Sequence, residues 1–392
     1  MDTEGDIEPE QGSLYDAPKN RSDGEPSSDR IPVRKKRPWW HQALSLVVTA
    51  LVLIAVFGFV IPSLADYGEV LEFLQAISIT GWVVIGAAAL FFLLAYPVVL
   101  VQVIPTLRFR ESFVNHMAGT AVTNTIPSGG AIALPLNYAM YMSWGFTPHA
   151  ISAGLLTAGI WDWLARISLP VLAVFGVAVI GDALGWMWAA SVAGVVIVSV
   201  MVFTLVKLTG SEKATDRFVA FAERFTAWGA RRLGKEPPDV APMIIPFRND
   251  LSSVLRIRGV RLTGATIMNH ASMATLFAAS VYGVGVTRDL VPLPWMILAF
   301  TLGRFLVMIP VSPGGIGLVD LGWIGLLTLG WQTANPGVPV DASLISAGVL
   351  LFRALSLLPP IPIGMATWLF WRFNTSWRQS WQDAGRGDST NA

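Results

Sequence analysis

The chain has 392 residues, 53% of them hydrophobic and 14% charged, with a mean hydropathy of +0.57. A soluble domain carries about 25% charged residues, so this balance excludes an ordinary water-soluble fold. The net charge of +1 says nothing about nucleic acid, because the basic residues sit at helix ends and no nucleic-acid partner is expected, and the absence of cysteine excludes disulfides, thiolate metal sites and cysteine nucleophiles.

Residues 1–33 are polar, rich in Asp, Glu, Ser and Pro, and lack periodicity, which predicts a disordered tail. The basic flank Arg34-Lys35-Lys36-Arg37 closes that tail (1–37) and places it in the cytoplasm. The apolar run that follows, 41–61, starts too late and extends too far for a secretory signal. A helix needs about 20 apolar residues to cross a bilayer core of about 30 Å. The runs 41–61, 81–104, 151–180, 184–207, 260–284 and 341–372 are long enough, which predicts about six spans within a transmembrane region at 38–373. Trp39, Trp40, Trp82, Trp371 and Trp377 flank these runs as an interfacial belt would.

Loop charges set the direction of each crossing. The 62–80 connection carries Asp66, Glu69 and Glu72 but no Lys or Arg, as an outside loop should, and Arg108 and Arg110 return the chain inside. The 208–258 connection is the most basic, with Lys213, Arg217, Arg224, Arg231, Arg232, Lys235, Arg248, Arg256 and Arg258, and belongs in the cytoplasm. Residues 112–144 must then enter and leave on one side, as a re-entrant hairpin. Downstream, Arg372, Arg378 and Arg386 mark a cytoplasmic tail at 374–392, so residues 294–331 dip in from outside and return. Each hairpin arm, at roughly 20 Å, reaches mid-membrane without crossing. The alternative is eight thin spans with the same N-in, C-in ends. In the basic connection, Phe218, Phe221, Phe225 and Trp228 recur at helical spacing, with Arg217, Arg224 and Arg231 on another face. That pattern predicts an interfacial helix lying on anionic headgroups.

The two hairpins share a tip. The first reads Asn124-Thr-Ile-Pro-Ser-Gly-Gly-Ala131, with Ser128, Gly129 and Gly130 at its turn. The second reads Met308-Ile-Pro-Val-Ser-Pro-Gly-Gly-Ile-Gly317, with Ser312, Pro313, Gly314, Gly315 and Gly317. After each come Ile-Ser-Ala-Gly (151–154 and 345–348), an intramembrane arginine (Arg166 and Arg353) and prolines (Pro170; Pro359 and Pro360). Pro removes a backbone donor and Gly tolerates positive φ, so Pro-Ser-Gly-Gly ends a helix abruptly. Irregular backbone at membrane depth persists only where protein encloses it or a wet cavity lies beside it. One hairpin opening inward and the other outward makes an inverted repeat, the arrangement in which secondary transporters place a substrate near the midplane. The alternative is a pair of ordinary Pro-Gly turns.

Asp162, Arg166, Arg304, Asp320 and Arg353 lie inside apolar segments, where each would cost about 2.5–3.5 kcal/mol at the bilayer centre. They should therefore face one another or a cavity. Asp162 and Arg166 stand four apart and can pair; Asp320 and Arg304, in the two arms of one hairpin, form a second expected pair; Arg353 has no local partner. The surplus arginine suits an anionic headgroup such as a phosphate. Alternatively, all five only lock the bundle together. Asn124, Ser128, Asn137 and Ser312 add hydrogen-bonding groups at the tips. His41, His116, His149 and His270 are isolated, His270 reads as a satisfied polar contact, and neither a metal site nor a cofactor is expected.

No phosphate-binding Gly-x-x-x-x-Gly-Lys-Ser/Thr loop, serine nucleophile elbow or His-Glu-x-x-His motif is present. The block Ile309-Pro-Val-Ser-Pro-Gly-Gly-Ile-Gly-Leu-Val-Asp320, with Gly303 before it and Leu-Phe-Arg353 after it, resembles the flippase-like membrane proteins. That family includes the transmembrane half of bacterial lysylphosphatidylglycerol synthases, and the resemblance covers roughly residues 41–373. It implies an all-α polytopic protein of the bacterial cytoplasmic membrane that moves lipids or lipid-linked saccharides between leaflets. On that resemblance Pro313, Gly314, Gly315, Gly317, Asp320 and Arg353 are matched positions. The family usually has Glu where Asp320 stands, and Arg and Glu after the first proline, where this chain has Ser128-Gly-Gly-Ala-Ile-Ala-Leu134. The rival expectation is an intramembrane transferase using a polyprenyl-phosphate or phospholipid substrate, with Asp162 or Asp320 as base.

Overall fold

The computed structural model describes residues 67–125, 129–180, 185–232, 241–308 and 317–377. Among them are helices and no strand. The helices are α1 (Tyr67–Gln75), α2 (Ile79–Val103), α3 (Phe109–Thr125), α4 (Gly129–Ser143), α5 (Pro148–Ile180) and α6 (Gly185–Gly210). They continue as α7 (Glu212–Arg232), α8 (Ala241–Gly283), α9 (Leu293–Leu306), α10 (Leu318–Ala334), α11 (Ala342–Leu357) and α12 (Pro360–Phe373). The predicted span 41–61, the tail segments 1–37 and 378–392 and the two turn segments 126–128 and 309–316 lie outside the described residues, and with them Ser128, Ser312, Pro313, Gly314 and Gly315.

Helices apolar on every side need lipid rather than water around them. Ile79–Val103, Pro148–Val179, Met187–Gly210 and the joined α11–α12 stretch Ala342–Phe373 are long and apolar enough to cross a membrane. On α6, Val192, Val196, Ile197, Val200 and Phe203 are all left uncovered by protein. The chain is a polytopic all-α membrane protein. The predicted run 260–284 is the end of α8, whose 43 residues extend about 65 Å and so outrun the bilayer core. The basic connection holds the helix its aromatic spacing predicts, α7 at 212–232, and the start of α8 fills 241–258. Glu212 opens α7 and Arg231 and Arg232 close it, each placed to suit the helix dipole.

The hairpin helices are short. α3, α4, α9 and α10 have 17, 15, 14 and 17 residues, about 21–26 Å, less than the hydrocarbon thickness. Their packing partners repeat between the halves. α3 packs on α4 and α12; α9 packs on α10 and α5; α2 and α8 pack on each other. Exchanging α2–α5 for α8–α12 maps each of these contacts onto another in the set. Small residues permit the closest approaches: a Cβ on Gly364 of α12 would meet the Met117 carbonyl oxygen of α3 at 2.1 Å.

Two apolar cores result. One joins α2, α3, α4 and α5 around Met140, Tyr141, Trp144 and Ile151. The other joins α8 to α11 around Phe277, Phe300, Trp323 and Phe352, whose rings stand 5.2–5.7 Å apart. This aromatic block supports the charged residues that follow. Phe300 precedes Arg304 by one turn of α9, and Phe352 precedes Arg353 by one residue.

Candidate functional site

The second hairpin leaves its turn at Gly317, where φ is +93°, a left-handed conformation open to glycine. Three residues on, Asp320 turns back, and its Oδ2 accepts from the Gly317 N–H at 3.0 Å, capping α10. Its Oδ1 accepts from Arg353 Nε of α11. Arg353 also lies 4.7 Å over the ring of Trp323. Asp320 is therefore a helix cap and an ion-pair partner together.

This overturns the expected Asp320–Arg304 pair, and Arg353, without a local partner in the sequence, finds a distant one in Asp320. α10 packs on α11 as well as on α9, and that contact brings together two residues 33 positions apart. Sequence spacing within one hairpin could not show it.

On α5 the local pair forms as expected: Arg166 Nε donates to Asp162 Oδ2 at 2.6 Å. The other oxygen, Oδ1, has His270 Nε2 of α8 at 3.2 Å. His270 is almost fully covered, whereas Asp162 and Arg166 keep 17% and 20% of their side-chain surface, so the pair is not sealed. His270 thus belongs to the charged cluster, which the sequence reading missed. Its signal was a histidine in an apolar helix, a residue that has to be matched to something.

Among the described residues, Arg304 stands with these groups without a carboxylate of its own. The charges acting on it are Arg166, Asp162 and Arg353. Its buried Nε has no hydrogen-bond partner among the described residues. Such a donor costs free energy until an acceptor arrives. Four helices, α5, α8, α9 and α11, together with the first turn of α10, therefore assemble two satisfied aspartate–arginine pairs and one unsatisfied arginine.

The first hairpin contributes amides instead. Asn124 Nδ2 donates 3.0 Å to the Leu357 carbonyl, at the Pro359-Pro360 break between α11 and α12. In a continuing helix the Leu357 carbonyl would accept from the Ile361 N–H, which here bonds to the Leu358 carbonyl at 3.0 Å, so Asn124 serves a broken helix in the other half. Asn115, also unremarked in the sequence, donates to the Asn137 carbonyl at 3.0 Å, and Asn137 Oδ1 is buried without a partner. Gly129 passes close to its own hairpin: a Cβ there would lie 2.4 Å from the Val122 carbonyl oxygen. Gly130 faces open space.

A groove of about 810 Å³ runs between α2, α8 and α9. One end carries Ser78, Thr287 and Arg288, and the other is lined by Ala271, next to His270, and by Phe300, one turn from Arg304. Its wall along α8 is Ala274, Ala278, Ala279 and Gly283, small residues that leave room beside the helix. Among the described residues, no group of three or more His, Asp or Glu side chains is placed to hold a metal ion.

No protein-family model matches the chain. Over 219 residues it is 24% identical to a UPF0104 membrane protein of Methanothermobacter thermautotrophicus, an alignment covering 54% of this chain and 63% of that protein. The chain thus spans less than two thirds of that relative's length. The likeness agrees, at the level of a membrane-protein family, with the resemblance drawn from the Pro-Gly-Gly block.

Proposed function

We propose that this protein moves a lipid or a lipid-linked saccharide between the leaflets of a bacterial cytoplasmic membrane, and that the charged cluster receives the headgroup. The observation that carries this reading is Arg304, an unsatisfied arginine held within reach of two arginine–aspartate pairs. Intramembrane charges are expensive and are kept where they bind something. A guanidinium matches the oxygens of a phosphate. Two further features support the reading. The hairpin helices are too short to cross on their own, as arms meeting inside the bilayer must be. The groove beside α8 offers a lateral way from one end of that helix to the neighbourhood of His270 and Arg304 for a headgroup whose chains stay in lipid.

An intramembrane transferase needs a carboxylate ready to take a proton. Asp320 has both oxygens engaged, by Gly317 and Arg353, and Asp162 is bracketed by Arg166 and His270. A carboxylate whose oxygens are already engaged has none ready to receive a substrate proton, so we place translocation first.

The test is leaflet exchange in proteoliposomes holding the full chain, with labelled anionic lipids and lipid-linked sugars. Protein-dependent exchange of at least one is expected, with a loss of tenfold or more in Arg353→Leu. No exchange of any probe, or equal exchange by the variant, removes the reading. Sustained product formation in detergent, where leaflets do not exist, would favour the transferase.

A further inference from the structure

Resting on the translocation reading, we infer that the cluster selects a singly charged phosphodiester headgroup over a phosphomonoester or a diphosphate. The argument is a charge balance at a place where imbalance is costly. Asp320 holds Arg353, and Asp162 holds Arg166. The charges acting at Asp162 come from Arg166, Arg304 and His270, and those acting at Arg304 from Arg166, Asp162 and Arg353. With His270 uncharged, each aspartate cancels one arginine and Arg304 alone is left over. The turn segments add nothing to this sum: 126–128 reads Ile-Pro-Ser, and 309–316 reads Ile-Pro-Val-Ser-Pro-Gly-Gly-Ile.

A site with one positive charge is neutralised by one negative charge. A phosphodiester carries that charge at every pH near neutrality. A phosphomonoester loses its second proton near pH 6 and brings about two charges above it, and a diphosphate brings two or more. Either would leave net negative charge in a medium that solvates it poorly, a penalty that grows with burial. The geometry agrees. Asp162 and Asp320 are already engaged by Arg166 and Arg353, and among the described residues the buried Arg304 Nε is the guanidinium N–H of the cluster that lacks an acceptor. A second anionic group would have to dislodge an existing pair.

The experiment measures how added lipid raises the thermal unfolding midpoint of the full chain in detergent at pH 8. The probes are phosphatidylglycerol, phosphatidic acid and a polyprenyl diphosphate. Half-saturation by phosphatidylglycerol is expected at least tenfold below that of the diphosphate, with phosphatidic acid between them. Arg304→Gln should weaken the phosphatidylglycerol effect tenfold or more. Asp162→Asn and Asp320→Asn each raise the site's charge by one and should move the order toward the diphosphate; two such variants guard against one failing to fold. A diphosphate lipid that binds the unsubstituted protein as tightly as phosphatidylglycerol, or an order unchanged in both Asn variants, overturns the inference. Leaflet exchange separates the two proposals. Exchange of the diphosphate lipid without phosphatidylglycerol defeats the phosphodiester assignment and leaves translocation standing, whereas exchange of no lipid defeats both.

Discussion

The hairpins α3–α4 and α9–α10 occupy matching places in the two halves yet carry different chemistry. The first ends in Asn124, an amide spent on the Leu357 carbonyl at a helix break in the opposite half. The second holds Arg304 and Asp320, charges that meet Arg353 and face the α5 pair. One backbone device, a helix stopped by Pro and Gly, thus serves two ends. The neutral hairpin repairs the backbone of its partner half, and the charged hairpin carries Arg304, the group we propose receives the headgroup.

The largest expected difference between them lies in their polar anchors. Asp320→Ala uncaps α10 and strands Arg353 beside Trp323, and removing one member of a buried pair costs about 3–5 kcal/mol. Asn124→Ala leaves one carbonyl unsatisfied, at about 1–3 kcal/mol. Unfolding of both variants in a denaturant series would rank them. Equal costs would mean the first hairpin is no mere support and would break the contrast drawn above.

Next come the glycines that let each hairpin close. A Cβ at Gly303 would fall 1.9 Å from Trp323 Nε1, so Gly303→Ala must displace the ring that Arg353 covers. At Gly129 the obstruction is backbone, the Val122 carbonyl at 2.4 Å. Overpacking costs about 1–3 kcal/mol in each case, but the consequences should differ. Gly303→Ala is expected to lower lipid binding at the charged cluster more than tenfold, and Gly129→Ala to lower stability with binding of the folded fraction kept within threefold. Lipid titrations monitored by thermal unfolding read both.

The membrane class, the helical runs and the Asp162–Arg166 pair were legible because each rests on a pattern of neighbours: apolar length and the four-residue step from Asp162 to Arg166. Pairing across the bundle was not. Asp320 was assigned to Arg304 because they share a hairpin, whereas the packing of α10 on α11 gave it to Arg353. His270 looked isolated because its partner, Asp162, lies 108 positions away. Within 208–258 the helix at Glu212–Arg232 was legible from the spacing of Phe218, Phe221, Phe225 and Trp228, whereas the extension of α8 back to Ala241 carried no such signal. Periodicity finds elements. It does not say which faces meet, and the unsatisfied Nε of Arg304 could be found only after the aspartates had been allotted.

The smallest effect tests the same contrast at Gly130. Nothing lies within 4 Å of a Cβ built there, and the residue sits in the first turn of α4. Alanine loses less backbone freedom than glycine on forming a helix, so Gly130→Ala should leave stability unchanged or raise it by about 0.4–1 kcal/mol. Open space beside a helix start can mean a lipid-facing surface or a substrate path, and stability alone does not separate them. Gly130→Trp does: a large side chain fills a path but is tolerated against acyl chains. If the first hairpin is only support, leaflet exchange by Gly130→Trp stays within twofold of the unsubstituted protein. A tenfold loss in a folded Gly130→Trp variant would place the neutral hairpin on the substrate's route as well, and both halves would then share the work now assigned to one.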